Sequence, residues 1–466
     1  MPERIGDEGI YLRLNHLQKG LLQFTDTTNA YRLMKEHGKD IRYNAVWKKW
    51  LVWNGANWSL DDGYLIHDRG LKMIRGIYME LLKTADYRDR MDIEKHAMQS
   101  ESARRRKALI EVASWIPDLN VRTDDLDPDP WLLNVKNGTI DLKTGLMRGH
   151  DPADLITHCA NVEHDAKADC PAWRQFLLEI MNYNQDLYRF VQKAAGWSIT
   201  GDTSEQTMLI LYGTGANGKS TFLNTIMNLL GDYASATPTA TFMKKGNGDQ
   251  MTNDLARLRG TRFVTTTETE QGRRLSEPLI KQITGNDRIT ARFLYGEYFT
   301  FQPNFKIWMA TNHKPVIKGT DHGIWRRIRL IPFTTRIAEE RQDKHLERKL
   351  MAEGPGILNW LLDGARLWHD EGLKAPRIVI NATDEYRAEM DVIGDFLRDR
   401  CVFAAGRTMK ARELFKTYQD WCDDNNERAC TERFFCLRLK ELGVEQKRQN
   451  DGRYWQGIML AGEKQG

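Results

Sequence analysis

The stretch LILYGTGANGKSTFLN, Leu209 to Asn224, constrains this chain more than any other. An apolar, β-branched run enters Gly213, four residues separate it from Gly218-Lys219-Ser220, and a helical pattern follows. That spacing is the phosphate-cradling loop of nucleotide hydrolases, which needs a buried strand before it and a helix after it. Gly213, Thr214, Gly215, Ala216, Asn217 and Gly218 form the cradle, because backbone N–H groups can close around phosphate oxygens there. The helix N-terminus turns its positive end to the same place. Lys219 would reach the β- and γ-phosphates of ATP, and Ser220 would ligate Mg²⁺, with Thr221 a weaker candidate. The loop says that a nucleotide binds, not what its energy drives.

A chain of 466 residues predicts two to four domains. Hydrophobic residues make up 41% and charged residues 28%, enough for sizeable cores and ordinary for a soluble protein. No apolar run approaches bilayer length, so no membrane role is expected. The start, MPERIGDEGIYLRLNH, lacks the apolar stretch of a signal peptide, which points to the cytosol. A net charge of +4 permits a nucleic-acid surface only as a local feature. His158, Cys159, His164 and Cys170 lie close in sequence, but their spacing fits no standard zinc finger, and polar loop residues are the preferred reading.

Four tryptophans, Trp47, Trp50, Trp53 and Trp58, surround Asn54-Gly55, a hairpin signal. They form either a base-stacking platform or a small aromatic core, the core being favoured. Residues 65–115 read as helical, with Arg104-Arg105-Arg106 as a solvated face. Turns at Asn137-Gly138 and Thr144-Gly145 predict a meander. DAKADCPAW reads as a linker, and two short helices follow it.

Residues 207–333 alternate short apolar strands with helices, an α/β nucleotide-binding core. The strand TRFVTTTETEQG ends in acids. Glu268 is the favoured partner for metal and attacking water, and Glu270, two residues on, shares its face. NFKIWMATNHKPV is a second strand, ending in Asn312, which suits contact with the γ-phosphate or the lytic water. Arg326 and Arg327 precede a third strand, and either suits an arginine finger aimed at a neighbouring subunit. Between the acid strand and the Asn312 strand, a helix, a Thr-Gly-Asn-Asp turn and a hairpin with Tyr295 at its tip are expected. From Ile378 onward, three amphipathic helices and a hairpin turning at Asn450-Asp451-Gly452 read as a winged helix. Its candidate DNA contacts are Arg433, Arg438, Lys447 and Arg448, with a protein-interaction module as the alternative.

The ordered series GTGANGKST, TTTETE, KQITGNDRITARFLY, ATNHKP and WRRIRLIPF resembles the superfamily 3 helicases, in particular the phage and plasmid primase-helicase family, which is related to the poxvirus primase-helicase. TDTTNAYRLMKEHG, WLVWNGANW and LLNVKNGTIDLKTG resemble that family's domain ahead of the helicase. The resemblance implies an AAA+-like α/β core, an α+β N-terminal domain over 1–165, an ATPase domain over 166–375 and a winged-helix domain over 376–466. It implies that Lys219, Ser220, Glu268 and Asn312 serve ATP and Mg²⁺, that Lys281 and Asp287 lie near nucleotide, and that Arg292, Phe293 and Tyr295 line a ring's channel and grip single-stranded DNA. The expected activity is an ATP-dependent DNA helicase, a homo-hexameric ring acting on single-stranded and forked DNA, for a phage, prophage or plasmid in a bacterial cytoplasm. No acidic primase cluster precedes it, so a separate primase is the expected partner. A replication initiator or loader whose ATPase switches assembly, and the helicase part of a primase-helicase, are the alternatives.

Overall fold

The structure is a computed structural model and describes residues 24–244, 252–267, 272–294, 296–319, 322–425, 427, 429–449 and 451–461. The chain divides into two compact units. One holds the residues up to His164 with Leu230–Tyr233 and Thr290–Phe301, and the other holds the remainder.

The first unit opens with helix α1 (Asp26–His37), capped by the Thr25 hydroxyl, which accepts from the Thr28 N–H. Strands β1 (Ile41–Asn44), β2 (Lys49–Trp53) and β3 (Trp58–Leu60) form an antiparallel sheet. The β2–β3 turn spans four residues because Trp53 pairs with Trp58, and the Asn54 side chain accepts from the N–H groups of Ala56 and Asn57. Helices α2 (Tyr64–Glu80), α3 (Tyr87–Ser100) and α4 (Ala103–Ala113) follow. Their apolar stripes, including Met73, Ile77, Ile93 and Leu109, close on Leu33 of α1 and on Trp50. Trp58 is buried in a second cluster with Leu51, Val121 and Leu126. The tryptophans of this hairpin are therefore chiefly core. Strands β4 (Leu132–Val135), β5 (Gly138–Asp141) and β6 (Met147–Arg148) make the expected meander.

Residues 165–170 are packed rather than free as a linker would be, because the Asn359 amide donates to the carbonyls of Asp165 and Ala168. Helices α5 (Pro171–Ile180) and α6 (Gln185–Ile199) lead to β7 (Met208–Tyr212) and α7 (Lys219–Leu230). Next come β8 (Ala234–Ala236), α8 (Thr252–Ala256), β9 (Phe263–Thr267), α9 (Glu277–Thr284), β10 (Ile289–Ala291) and β11 (Phe299–Phe301). Then β12 (Lys306–Thr311), α10 (His322–Trp325) and β13 (Ile328–Pro332) complete the core. The result is a mixed α/β fold around a parallel sheet of order β13-β7-β12-β9-β8. Met208 to Leu211 are fully buried, as strands covered on both faces must be. Phe222 of α7 packs on Trp308 of β12 and stacks on Trp173 of α5. β10 and β11 form a separate two-stranded ribbon.

Helices α11 (Leu346–Ala352), α12 (Gly354–Glu371), α13 (Arg377–Glu389) and α14 (Val392–Arg400) follow. The last two are distinct helices. They break at Met390-Asp391, where the Asp391 carboxylate caps α14 by accepting from the Gly394 N–H. Strand β14 (Cys401–Lys410), which the sequence reading lacked, precedes α15 (Ala411–Asp424), α16 (Glu432–Glu441), β15 (Gln446–Gln449) and β16 (Gly452–Leu460). The sheet β14-β16-β15 and these helices share a core of Phe396, Leu414, Tyr418, Phe435 and Trp455. Among the described residues, no helix is long and apolar enough to cross a membrane.

Candidate functional site

The loop between β7 and α7 is tied down on both sides. Gly213 donates its N–H to the Thr311 carbonyl of neighbouring β12 at 3.3 Å. A Cβ at position 213 would lie 2.2 Å from the Phe333 carbonyl oxygen and 2.3 Å from the Asn217 amide, so only glycine fits. Gly218 has φ +81°, and a Cβ there would meet Ile180 at 2.7 Å. The buried Asn217 donates to the Phe333 carbonyl at 3.0 Å, and the Ala216 carbonyl accepts from the Ile337 N–H at 2.8 Å. The segment after β13 thus braces the loop from outside.

Lys219 is the focus of this site. Its Nζ donates to the Gly213 carbonyl at 2.7 Å, to Asn217 Oδ1 at 3.0 Å and to Asn312 Oδ1 at 3.2 Å. Its exposure is only 6%, and burial pushes its pKa below the usual lysine value. Among the described residues no carboxylate pairs with it, so a buried ammonium is held by neutral oxygens alone. Such a site favours an incoming anion, and a polyphosphate fits it. Thr214 and Ser220 are exposed beside it. The Ser220 hydroxyl, in the first turn of α7, is the hard oxygen donor Mg²⁺ prefers.

β9 runs parallel to β12, with Thr267 opposite Ala310. Glu268 and Glu270 come next in sequence and lie outside the described residues. Lys281 is half-buried on α9, while Asp287 is exposed after the positive-φ turn at Asn286. The two arginines separate clearly. Arg327 is buried, and its guanidinium donates to Thr284 Oγ1 at 3.1 Å and to the Gly323 carbonyl at 2.6 Å. Arg326 is exposed and donates to Gln206 Oε1 at 3.0 Å.

A second cluster occupies the β10–β11 ribbon. Arg292 lies over the Tyr298 ring at 4.7 Å, and Phe293 stacks on Phe299 with ring centroids 5.5 Å apart. Phe293 is 42%, Leu294 70% and Tyr298 53% exposed. Tyr295 lies outside the described residues. Leu294 and Tyr298 escaped the sequence reading, although the run FLYGEYFTF carried the signal.

A third cluster lies on α16 and on β15 of the C-terminal sheet. Arg433, Lys447 and Arg448 are exposed. Arg438 differs: it is turned inward and paired with Asp391 at 2.8 Å and with Glu441 at 3.3 Å. A cavity of about 470 Å³, lined by Arg433, Leu437, Lys440 and Arg453 among others, separates α16 from the β15–β16 hairpin. His158, of the zinc alternative, instead meets the Asp127 carboxylate at 3.3 Å and stacks on Tyr233.

The glycine-rich loop and the lysine meeting a strand-end asparagine sit together in a mixed α/β fold with a parallel-sheet core. Residues 30–182 match the D5 N terminal like family, residues 388–456 the poxvirus D5 protein-like family, and residues 211–327 a family of unknown function. The chain is thus similar to the poxvirus D5-like proteins over its N-terminal and C-terminal parts. A protein of Acanthamoeba polyphaga mimivirus, provisionally named a helicase, is 27% identical over 329 residues, covering 66% of this chain and 34% of that protein. One of African swine fever virus, provisionally named a primase, is 22% identical over 350 residues, covering 69% and 36%. The chain therefore spans about a third of the length of these relatives. In fold, it is similar to the C-terminal region of NrS-1, with a TM-score of 0.51 at 10% identity over 93% of this chain and 99% of that one. These relatives are viral, and neither virus is named for a bacterium, the host expected from the sequence.

Proposed function

We propose that this chain is the motor of an ATP-dependent DNA helicase serving replication of a mobile or viral replicon. One observation carries the reading: Lys219, at the start of α7, and Asn312, just past β12, are 93 residues apart yet meet at 3.2 Å, and β7 and β12 are adjacent parallel strands. A fixed cradle with a buried cation that no carboxylate pairs with among the described residues suits a nucleoside triphosphate. The strand-end amide suits sensing of its γ-phosphate or orientation of the attacking water.

Lys219 and the loop N–H groups would neutralise the transferred phosphoryl group, and Glu268 or Glu270 would orient water. Ser220 would hold Mg²⁺, which would supply further charge neutralisation. Arg326, rather than Arg327, is the better finger across a ring interface, because its guanidinium reaches solvent while that of Arg327 is held inside its own subunit. Lys281 and Asp287 would approach the same interface. Arg292, Phe293 and Tyr295 on the ribbon would grip single-stranded DNA by charge and stacking.

The C-terminal helices and hairpin suit a winged helix that binds the forked duplex, with Arg433, Lys447 and Arg448 near phosphate and Arg438 structural. The ring would be a homo-hexamer. An initiator or loader is the second reading, favoured by the cation-lined C-terminal cavity.

The test is unwinding of a labelled forked DNA with ATP and Mg²⁺, alongside DNA-stimulated ATPase. Lys219→Ala should lower both by on the order of a hundredfold to a thousandfold. Arg292→Ala should keep basal ATPase and lose unwinding. A wild type that hydrolyses ATP yet separates no strands with either tail would favour the initiator.

A further inference from the structure

The segment after Asn312 is held from outside the nucleotide loop by helix α13. Lys314, two residues beyond Asn312, places its Nζ 2.7 and 2.8 Å from the two Glu389 carboxylate oxygens. The same ammonium lies 4.9 Å from the centre of the Tyr212 ring and 5.7 Å from that of Tyr386. Tyr212 is the last residue of β7, directly before Gly213. Tyr386, fully buried, donates its hydroxyl to the Pro315 carbonyl. Its ring meets Trp325 edge-on at 5.2 Å, and Trp325 directly precedes Arg326. One turn earlier on α13, Thr383 Oγ1 accepts from the Leu330 N–H of β13 at 3.0 Å.

Three segments that carry the proposed chemistry therefore converge on one face of one helix. They are the end of β7 at the phosphate loop, the Asn312 turn, and the helix leading to Arg326. Nothing in the P-loop motif requires this. A lysine between two aromatic rings, also paired with a carboxylate, is more tightly fixed than a surface ion pair. Its side chain is only 15% exposed. Tyr386 touches two of the three segments directly, and the Lys314 ammonium over its ring brings in the third.

We infer that Tyr386, with Lys314 and Glu389, is a positioning centre that sets Asn312 and Arg326 relative to the phosphate loop. This rests on the ATPase reading above. The three residues lie outside the phosphate loop and carry none of the groups assigned above to nucleotide contact. They act through the Asn312 turn and through Trp325, so their loss should lower turnover rather than nucleotide binding.

The experiment measures steady-state ATPase with and without DNA, binding of a fluorescent ATP analogue, and thermal melting on the full chain. The variants are Tyr386→Phe, Lys314→Met, Lys314→Arg and Glu389→Gln. Tyr386→Phe and Lys314→Met should lower kcat by about tenfold while leaving analogue affinity unchanged, as a small misplacement of reacting groups does. Lys314→Arg, which keeps the charge and the stacking, should recover most of it. Lys314→Met combined with Glu389→Gln should be no worse than either alone, because the pair acts as a unit. Ile393→Val, in the separate C-terminal core, supplies a melting shift without touching α13. A kcat equal to wild type in folded Tyr386→Phe would overturn the inference. So would a kcat that simply tracks melting temperature across all variants, Ile393→Val included. A wild type with no Lys219-dependent ATPase would overturn the ATPase reading itself, a result distinct from either.

Discussion

Two hairpins of the first unit carry aromatic side chains and look alike in sequence, yet they bury them in opposite ways. In the β2–β3 hairpin, Trp50 is 7% and Trp58 1% exposed. Trp58 also donates its indole N–H to the Pro152 carbonyl at 2.9 Å, so its polar atom is satisfied inside. In the β10–β11 ribbon, Phe293, Leu294 and Tyr298 stand in solvent beside Arg292. A chain gains no folding stability from apolar rings left in water. The first hairpin is a structural element, and the second leaves its rings at the surface, as the proposed DNA contact requires. Composition alone cannot separate them, since both offer rings and a cation: Arg42 lies over Trp58 at 5.0 Å much as Arg292 lies over Tyr298.

The largest effect should come from the buried side. Trp58→Ala removes a fully packed indole and strands the Pro152 carbonyl. It should cost about 3–5 kcal/mol, the usual range for large aromatic deletions. Denaturant unfolding checks this, and a loss below about 1 kcal/mol, within the range of surface substitutions and small repacking, would undo the contrast. Single-stranded DNA binding, measured well below the melting transition, should survive the change.

A second test works through pH. Burial alone would raise the Asp127 carboxyl, but the charge of His158 and hydrogen bonds from His158 and Thr157 outweigh it and hold the carboxyl at about 2, below the ordinary 3.8. Thr157 in turn accepts from the Asn57 amide in the β2–β3 turn at 2.8 Å, which links this acid to the buried hairpin. The pKa is depressed in the folded state, so the stabilisation is fully present above about pH 4. It is lost as pH falls from there through about 2. Its size is about 2 kcal/mol. Asp127→Asn should lose that much at pH 7 and should flatten the stability curve between pH 4 and 2. Unfolding free energies at pH 7, 4 and 2.5 give the answer, and parallel wild-type and variant curves would refute it.

The sequence exposed what depends on local pattern. Glycine spacing, the apolar strands feeding it and Asn312 at a strand end are all local, and so is the hairpin at Asp451-Gly452. What stayed hidden depends on contacts between distant residues. Arg326 and Arg327 are indistinguishable by spacing, and burial separates them because Thr284, 43 residues away, takes the Arg327 Nε–H. Arg438 looked like a DNA contact because the Asp391 that neutralises it lies 47 residues upstream. Strand β14 was missed because CVFAAGRTMK carries too little alternation, and its register with β16 shifts between Phe403 and Thr408. The Tyr386 contact to Pro315 spans 71 residues, and no motif marks it.

The smallest effect sharpens the exposed side. Phe293→Ala on the ribbon should change unfolding free energy by only about 1 kcal/mol, the scale of its one stacked contact with Phe299. Its effect should fall on DNA instead. An exposed ring stacked against a nucleobase contributes about 1–3 kcal/mol. Phe293 already has one face against Phe299 at 5.5 Å, so the lower end applies and single-stranded DNA affinity should drop by about fivefold. Anisotropy with a labelled oligothymidine at fixed salt measures it. If Phe293→Ala melts early and binds DNA normally, the ribbon belongs with the tryptophan hairpin and the DNA-gripping role falls. If stability holds and affinity drops, exposure rather than aromatic content separates the two hairpins.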